Sequence, residues 1–237
     1  DIVVNKTKLD FLIKNFLIYV LLATVCDVMP LRKVNKLIAT YVINNFSIND
    51  NIAFKILFDQ IGINKKLTIN DLGYIIGPII NSGGRLGSSS CGIKLLSSNN
   101  LTIVKKNSTY LINLNNKRKE IEKNIIDNIN LEKINKENKN VIIYYNPNIN
   151  EGLIGIIASR LKDYFNKPCI VITKSNDILK GSARSTSNYN IGKLIKLLCD
   201  KKIIEKGGGH NMAAGFLIKK DNIKHLDEFI QKDYSNK

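Results

Sequence analysis

Residues 141–173 read VIIYYNPNINEGLIGIIASRLKDYFNKPCIVIT, and this stretch decides the fold class. Its two ends, VIIYY and PCIVIT, are short apolar runs with the length and composition of buried strands. Between them, residues 152–165 repeat their apolar side chains at helical spacing. The stretch therefore predicts a strand, a helix and a second strand, which is the alternation of an α/β domain.

The same alternation continues to the end of the chain. ILKGSARST predicts a third strand, GKLIKLLCD a helix, AAGFLIKK a strand and IKHLDEFIQK a closing helix. We therefore predict one α/β domain over residues 137–237, a span within the usual size of a domain.

The first part of the chain predicts helices. Apolar periodicity runs through residues 8–25 and stops before Pro30, and residues 33–46 and 50–62 predict two more helices. Residues 1–46 and 47–136 are predicted as two further segments, so the chain has three parts in all.

Three features organise the middle segment. Thr68 and Asp71 have the spacing of a helix capping box, with Asp in place of the usual Glu or Gln. GPIINSGGRLGSSS at 77–90 interrupts the periodicity and predicts a loop. A single charged helix is predicted from Leu101 to about Lys136, polar on most of its surface, as a solvated connector.

Charge points to a polyanionic partner. The chain of 237 residues has 36 Lys and Arg against 20 Asp and Glu, which gives a net charge of +16. A surplus of this size attracts nucleic acid and makes such binding depend on salt. The alternative from charge alone is that solvated lysines are scattered over the whole surface.

Cysteine usage and hydropathy favour a cytoplasmic protein. The four cysteines at 26, 91, 169 and 199 are isolated from one another, so we expect reduced thiols and no zinc site. The most apolar segment, residues 16–28, is too short to span a bilayer. We therefore predict no membrane helix and no signal peptide.

The run GGGHNMAAG at 207–215 is the first candidate binding site. Consecutive glycines such as Gly208 and Gly209 can present successive N–H groups to an anion in a backbone nest, with His210 as an additional donor. The alternative is a tight turn between a helix and a strand, with the histidine packed for stability.

Two further short motifs place an arginine among small residues. In GSARS, Ser182 and Ser185 flank Arg184, whose planar guanidinium can hold phosphate oxygens bidentately. In GGRLG, three glycines surround Arg85. Together with the glycine run, these motifs favour a track for several successive phosphates.

Asp27 follows the apolar segment in ATVCDVMPL. A carboxylate that follows buried residues is expected to be paired, hydrogen-bonded or bound to a metal, because leaving it bare is costly. A helix cap or a salt bridge is the alternative.

Read in order, six blocks resemble the RecJ family of single-strand-specific DNA exonucleases, within the DHH phosphoesterase superfamily. They extend over nearly the whole chain: ATVCDVMPL, GPIINSGGRLG, NNKRKEIEKNI, NEGLIGIIASRL, KGSARS and GGGHNMAAGF. The resemblance implies the end of a DHH catalytic domain, a helical connector and a C-terminal DHH-associated domain. It also implies 5′-to-3′ hydrolysis of single-stranded DNA in recombination and repair, with a two-metal site for Mn²⁺ or Mg²⁺.

By this resemblance, Asp27 is a metal ligand and His210 belongs to the catalytic region. The expected DNA-binding residues are Arg85, Ser182, Arg184, Ser185, Gly208, Gly209 and His210. No Asp-His-His is present in the sequence, so we expect the earlier metal motifs to lie upstream and these 237 residues alone to bind DNA without cleaving it. We expect a monomer, with single-strand-binding protein as a candidate partner.

Two departures from the family pattern affect expected contacts. Ile79 stands where the family commonly has Arg, and Ile149 with Asn150 stands where it has a Trp-His pair. Two other functions remain open: a DHH phosphodiesterase acting on short oligonucleotides or cyclic dinucleotides, and a non-catalytic nucleic-acid-binding module.

Overall fold

The computed structural model describes residues 6–235, with side chains from residue 16 onward. The chain forms two compact units, which divide between Arg118 and Lys119. This division lies inside one long helix, α7, which spans Leu101–Asp127. None of the helices within the described residues is long and apolar enough to cross a bilayer.

The first unit is helical. Its elements are α1 (Lys6–Cys26), α2 (Lys33–Asn45), a 3₁₀ turn (Ile48–Asp50), α3 (Ile52–Ile61), α4 (Ile69–Asp71), a π-helical turn (Leu72–Ile76), α5 (Gly77–Leu86), α6 (Ser90–Ser97) and the first part of α7. Its core holds Phe54, Leu57 and Leu72, which are completely buried. The predicted capping box is confirmed, because Thr68 Oγ1 accepts from the Asp71 N–H while the Asp71 carboxylate accepts from the Thr68 N–H.

The predicted loop at 77–90 is wrong over most of its length, because Gly77–Leu86 forms α5. Glycine here serves close packing: a Cβ at Gly77 would lie 2.5 Å from Cys26 Sγ, and one at Gly83 would lie 2.7 Å from the Ser88 carbonyl oxygen. Tertiary contact therefore overrides the low helix propensity of glycine in this segment.

The predicted single helix from 101 to 136 is also wrong in part. Helix α7 ends at Asp127, and α8 (Leu131–Lys136) begins after Asn130, whose side chain caps it by accepting from the Lys133 N–H. Nor is α7 solvated all round, since Val104 and Leu111 are buried in the core of the first unit.

The second unit contains a five-stranded sheet. Its strands are β1 (Ile142–Tyr145), β2 (Cys169–Ser175), β3 (Ile178–Arg184), β4 (Lys206–His210) and β5 (Ala213–Ile218), in the spatial order β1-β2-β3-β5-β4. The β1–β2 pair is parallel and the other pairs are antiparallel. The remaining elements are the C-terminal part of α7, α8, α9 (Ile154–Phe165), α10 (Ile191–Asp200), a 3₁₀ turn (Lys220–Asn222) and α11 (Ile223–Ser235). The predicted α/β class is thus confirmed.

Helices cover the two faces of this sheet unequally. Helix α9 packs on β2 and β3, whereas α10 packs on the opposite face over β4 and β5. On the α9 side, the β4 residues that point to that face, Lys206, Gly208 and His210, are exposed. One strip of the sheet, over β5 and β4, is therefore open on that side.

The glycine run does not form the predicted nest. Residues 206–210 are the extended edge strand β4, and Gly62 is the glycine with positive φ among residues 6–235. A nest requires residues with positive φ, and pairing with β5 holds these residues extended instead. The close fit of the strand is the reason for glycine, because a Cβ at Gly209 would clash with the Ala213 carbonyl oxygen.

Candidate nucleic-acid interface

Strand register brings two of the sequence motifs onto one face of the sheet. Arg184 pairs with Ala213, which pairs with His210, and these three residues form one row across β3, β5 and β4. Residues directly opposite each other in antiparallel strands point to the same face. GSARS and GGGHNMAAG are thus parts of one surface.

A second row lies two residues further along each strand. It contains Ser182, Gly215 and Gly208. We call the two rows together the platform; its members are Ser182, Arg184, Gly208, His210, Ala213 and Gly215. Its part near the sheet edge is almost free of side chains, because Gly208 and Gly215 are neighbours there and a Cβ at Gly208 would meet no atom within 4 Å.

Arg184 is the most unusual group of the platform. Its Nη1 donates to the Ala183 carbonyl oxygen at 2.8 Å and to Ser182 Oγ at 3.3 Å. Burial lowers the pKa of this guanidinium below its ordinary value. Within residues 16–235 no carboxylate forms an ion pair with it, so its charge is left for an external anion to balance.

Gly155 gives Arg184 its place beside helix α9. A Cβ at Gly155 would lie 2.9 Å from Arg184 Nη2 and 3.2 Å from Ser182 Oγ, so any larger residue would displace the guanidinium. Gly155 is in the first turn of α9, where the helix dipole is positive. A desolvated cation beside a positive helix end strongly favours an anion at this position.

The hairpin between β4 and β5 fixes His210. Its Nδ1 accepts a hydrogen bond from the Met212 N–H at 3.3 Å, so the neutral ring carries its proton on Nε2. The hairpin tip is tied down twice, by Asn190 Nδ2 donating to Asn211 Oδ1 at 2.6 Å and by the Ser185 N–H donating to the Met212 carbonyl oxygen at 2.9 Å. His210 therefore presents an N–H donor to one edge of the platform.

Ser185 does not share this surface. It is buried, and its hydroxyl donates to the Tyr189 carbonyl oxygen at 2.6 Å. This bond holds the turn that leads from β3 to α10. Gly209 is the other predicted DNA-binding residue of this unit that is not part of the platform, and it packs closely against β5.

Asp27 lies in the first unit, at the C-terminal end of α1. The Met29 N–H donates to the Thr24 carbonyl oxygen and the Val28 N–H to that of Val25, which is the bonding pattern of a Schellman cap. Asp27 is exposed, so its carboxylate does not need a buried partner to offset the loss of hydration. Its backbone position is nevertheless fixed by the cap.

Arg85 is in the same unit but at the far end of another helix. Cys26, next to Asp27, contacts Gly77 in the first turn of α5, whereas Arg85 is in its last turn. Eight residues of α-helix separate Gly77 from Arg85, or about 12 Å along the axis. The structure thus does not bring the two predicted residues of this unit into direct contact.

The three positions that depart from the family pattern, Ile79, Ile149 and Asn150, differ in burial. Ile79 and Ile149 are buried, so neither aliphatic side chain is available for a contact at the surface. Asn150 is exposed, and its Oδ1 accepts from the Gly152 N–H at 2.8 Å just before α9. The sequence motifs did not single out Gly155 or Gly215. Once β3 and β5 are assigned as strands, however, the alternation of side chains along β5 places Gly215 on the same face as Ala213.

Comparisons with known proteins match both units. Residues 138–236 match the DHHA1 domain family. The chain is 33% identical over 223 residues to the single-stranded-DNA-specific exonuclease RecJ of Haemophilus influenzae, covering 90% of this chain and 39% of that protein. It is 28% identical over 213 residues to RecJ of Bacillus subtilis, covering 86% of this chain and 26% of that protein.

Solved structures show the same fold. RecJ from Thermus thermophilus in complex with Mn²⁺ superposes with a TM-score of 0.83 at 19% identity, covering 94% of this chain and 33% of that one. The Mg²⁺ complex of the same protein gives a TM-score of 0.80 at 20% identity, with coverage of 94% and 35%. The chain thus spans about two fifths or less of the length of the relatives that it matches. The chain belongs to the RecJ family and corresponds to a part of a RecJ protein that includes the DHHA1 domain.

Proposed function

We propose that this chain is part of a single-stranded-DNA-specific exonuclease, and that the platform holds the sugar-phosphate backbone of the strand. The observation that carries the proposal is the half-buried Arg184, which has no carboxylate partner among residues 16–235 and lies beside an open floor of small residues. The Haemophilus influenzae relative is named for the same activity. The 5′-to-3′ polarity and the role in recombination and repair are proposed from the family resemblance alone.

The chemistry of the platform suits phosphate contacts. Arg184 and the Nε2–H of His210 are donors on opposite sides of a floor formed by Ala213 and Gly215. A floor without side chains lets a polynucleotide backbone approach closely, and hydrogen bonds to phosphate oxygens carry no sequence information. The platform donors contact phosphate oxygens rather than base edges, so we expect binding to be insensitive to base sequence.

We further propose that Asp27 is one ligand of a divalent-cation site. An exposed carboxylate is a suitable oxygen ligand for Mg²⁺ or Mn²⁺. Within residues 16–235, however, no group of three or more His, Cys, Asp or Glu side chains is arranged to hold a metal ion. The described residues do not form such a centre by themselves, and a complete one would need ligands from elsewhere in the enzyme.

When bound, a divalent cation activates water and stabilises charge on phosphate oxygens. The described residues would contribute differently: Arg184, Ser182 and His210 bind and orient the strand. We therefore expect these 237 residues to bind single-stranded DNA and to leave it intact.

Fluorescence anisotropy with a labelled oligo(dT) of about 12 nucleotides, a length within the usual site size of a single-strand-binding groove, tests the proposal. Arg184→Ala should weaken binding at least about tenfold, since a charge-assisted contact contributes about 1.5–3 kcal/mol. Lys196→Ala, which removes one exposed charge from α10 on the opposite face, is the matched control and should have little effect. Equal affinities for the two variants would refute the role of the platform.

Oligonucleotide length separates the proposal from an activity on dinucleotides. A polynucleotide track should bind a long oligonucleotide far more tightly than a dinucleotide and with a steep salt dependence, because each contacted phosphate contributes about −0.7 to the logarithmic slope. Similar affinities for both ligands would favour the phosphodiesterase alternative.

A further inference from the structure

The register of the sheet continues beyond the platform by one more row. Lys180 of β3 pairs with Leu217 of β5, which pairs with Lys206 of β4. This row lies two residues beyond Ser182, Gly215 and Gly208, or about 7 Å along the strands. It therefore points to the same face as the platform, and we call it the outer row.

The two lysines of the outer row differ in their partners. Lys180 Nζ lies 3.3 Å from Glu151 Oε2, and this same carboxylate oxygen accepts from Ser175 Oγ at 2.7 Å. The hydrogen bond from Ser175 and the charge of Lys180 lower the pKa of Glu151. The β3 end of the row thus carries an ionised carboxylate that offsets Lys180 and repels phosphate.

Lys206 has no such neighbour. It is exposed, and within residues 16–235 no carboxylate lies at ion-pair distance from its Nζ. The adjacent Glu205 pairs with Lys219 at 3.5 Å and, one residue earlier in the chain, points to the other side. The ammonium group of Lys206 is therefore available to an anion on the platform side.

The middle of the outer row is apolar. Leu217 is half-buried and continues the floor formed by Gly215. Such a surface can pack against a sugar or base edge while the flanking cation contacts a phosphate. No residue of the outer row belongs to the six sequence blocks that carry the family resemblance except Lys180, at the start of KGSARS.

We propose that Lys206 binds a further phosphate of the DNA, and that the strand leaves the platform along β4 rather than along β3. This inference rests on the proposed function of the platform. His210 and Lys206 are the two ends of the five-residue strand β4, about 14 Å apart when extended. At a rise of about 3.4 Å per nucleotide, this distance corresponds to about four nucleotides, and to fewer in a stretched strand.

Three single substitutions in the full 237-residue chain test the inference by anisotropy with the same labelled oligo(dT) over a salt series. Lys206→Ala should weaken binding about three- to tenfold and make the logarithmic salt slope shallower by about 0.7, as expected for the loss of one phosphate contact. Lys180→Ala, in the same row, should have a smaller effect because its charge is already offset. Lys196→Ala removes the same charge from the opposite face and should leave the slope unchanged.

The outcomes separate this inference from the function on which it rests. If Arg184→Ala weakens binding but Lys206→Ala behaves like Lys196→Ala, the contact at Lys206 is refuted while the platform stands. If Lys180→Ala costs as much as Lys206→Ala, the exit along β4 is refuted. If Arg184→Ala has no effect, or if the chain does not bind oligo(dT), both proposals fail. Lys206 and Lys196 are exposed, so unchanged thermal melting of their variants is the expected check on folding.

Discussion

Gly208→Val should raise stability and lower DNA affinity at the same time. A Cβ at Gly208 would meet no atom within 4 Å, so the folded chain has room for the new side chain. Valine favours the extended backbone and restricts the unfolded chain, which together stabilise the fold by about 1 kcal/mol. For the second unit, which spans residues 119–237, the thermal midpoint should rise by about 4 °C.

The same side chain would stand on the platform face at the β4 edge, beside Gly215, where it would obstruct an approaching phosphate. We expect affinity for labelled oligo(dT) to fall at least about tenfold, equivalent to about 1.4 kcal/mol. The measurements are anisotropy for binding and differential scanning calorimetry for stability. Opposite signs in the two assays distinguish a blocked surface from general damage to the fold.

Gly207→Val is the matched control on the neighbouring residue. There a Cβ would lie 2.6 Å from Ile195 Cγ2 and 2.9 Å from Phe216 Cβ, so overpacking should cost about 1–3 kcal/mol. If Gly208→Val bound DNA as tightly as the parent chain while remaining more stable, the DNA would not lie on this face. If it were destabilised like Gly207→Val, the strand register itself would be contradicted.

Two further predictions concern the first unit. Burial alone would raise the pKa of Asp71, but hydrogen bonds from Lys65 and Thr68 outweigh it and lower that pKa. The ionised Asp71 carboxylate therefore stabilises the folded chain above about pH 4, and this stabilisation is lost as pH falls. In urea unfolding, Asp71→Asn should be about 1–2 kcal/mol less stable than the parent chain at neutral pH, and this difference should shrink below about pH 4. A difference that does not depend on pH would contradict this reasoning. Val28 has a φ of 54° and a side chain that is 86% exposed. Val28→Gly should therefore relieve left-handed backbone strain and stabilise the unit by about 1 kcal/mol. An unchanged or lower unfolding midpoint would show that the strain is absent.

Sequence periodicity was sufficient for most elements because apolar spacing reports directly on burial. Helices α9 and α10 and strands β2 and β3 all lie where their patterns predict them. The capping box at Thr68 was predictable for a similar reason, since both partners lie within one turn. Local signals therefore identified local structure.

Glycine-rich segments were predicted poorly because glycine has two different uses. In α5, glycine permits close approach to Cys26 and Ser88, contacts that form only when the chain folds. In β4, it permits close pairing with β5. Composition indicates a flexible loop in both cases, and only tertiary contacts distinguish a packed helix or strand from such a loop.

The candidate site could be predicted as residue types but not as a surface. Arg184 and His210 were selected from their motifs, and they share a row because β5 is inserted between their strands. The two residues are separated in sequence by helix α10, so no local pattern reports their common register. Ser185 shows the opposite case, since it is in the right motif but points inward.

Under the proposed function, position rather than the total charge determines which cations contribute to binding. The chain carries +16, yet a lysine such as Lys196 on α10 is on the side of the sheet opposite to the platform, while Lys180 is offset by Glu151. Arg184 and Lys206 differ from these because strand register aims them at an open floor and no described carboxylate neutralises them. Since α9 covers β2 and β3 but not β4, an extended polyanion can reach both groups on this unit through the uncovered strip. The asymmetry of helix packing thus favours this face as the proposed binding surface of a chain that carries a net charge of +16.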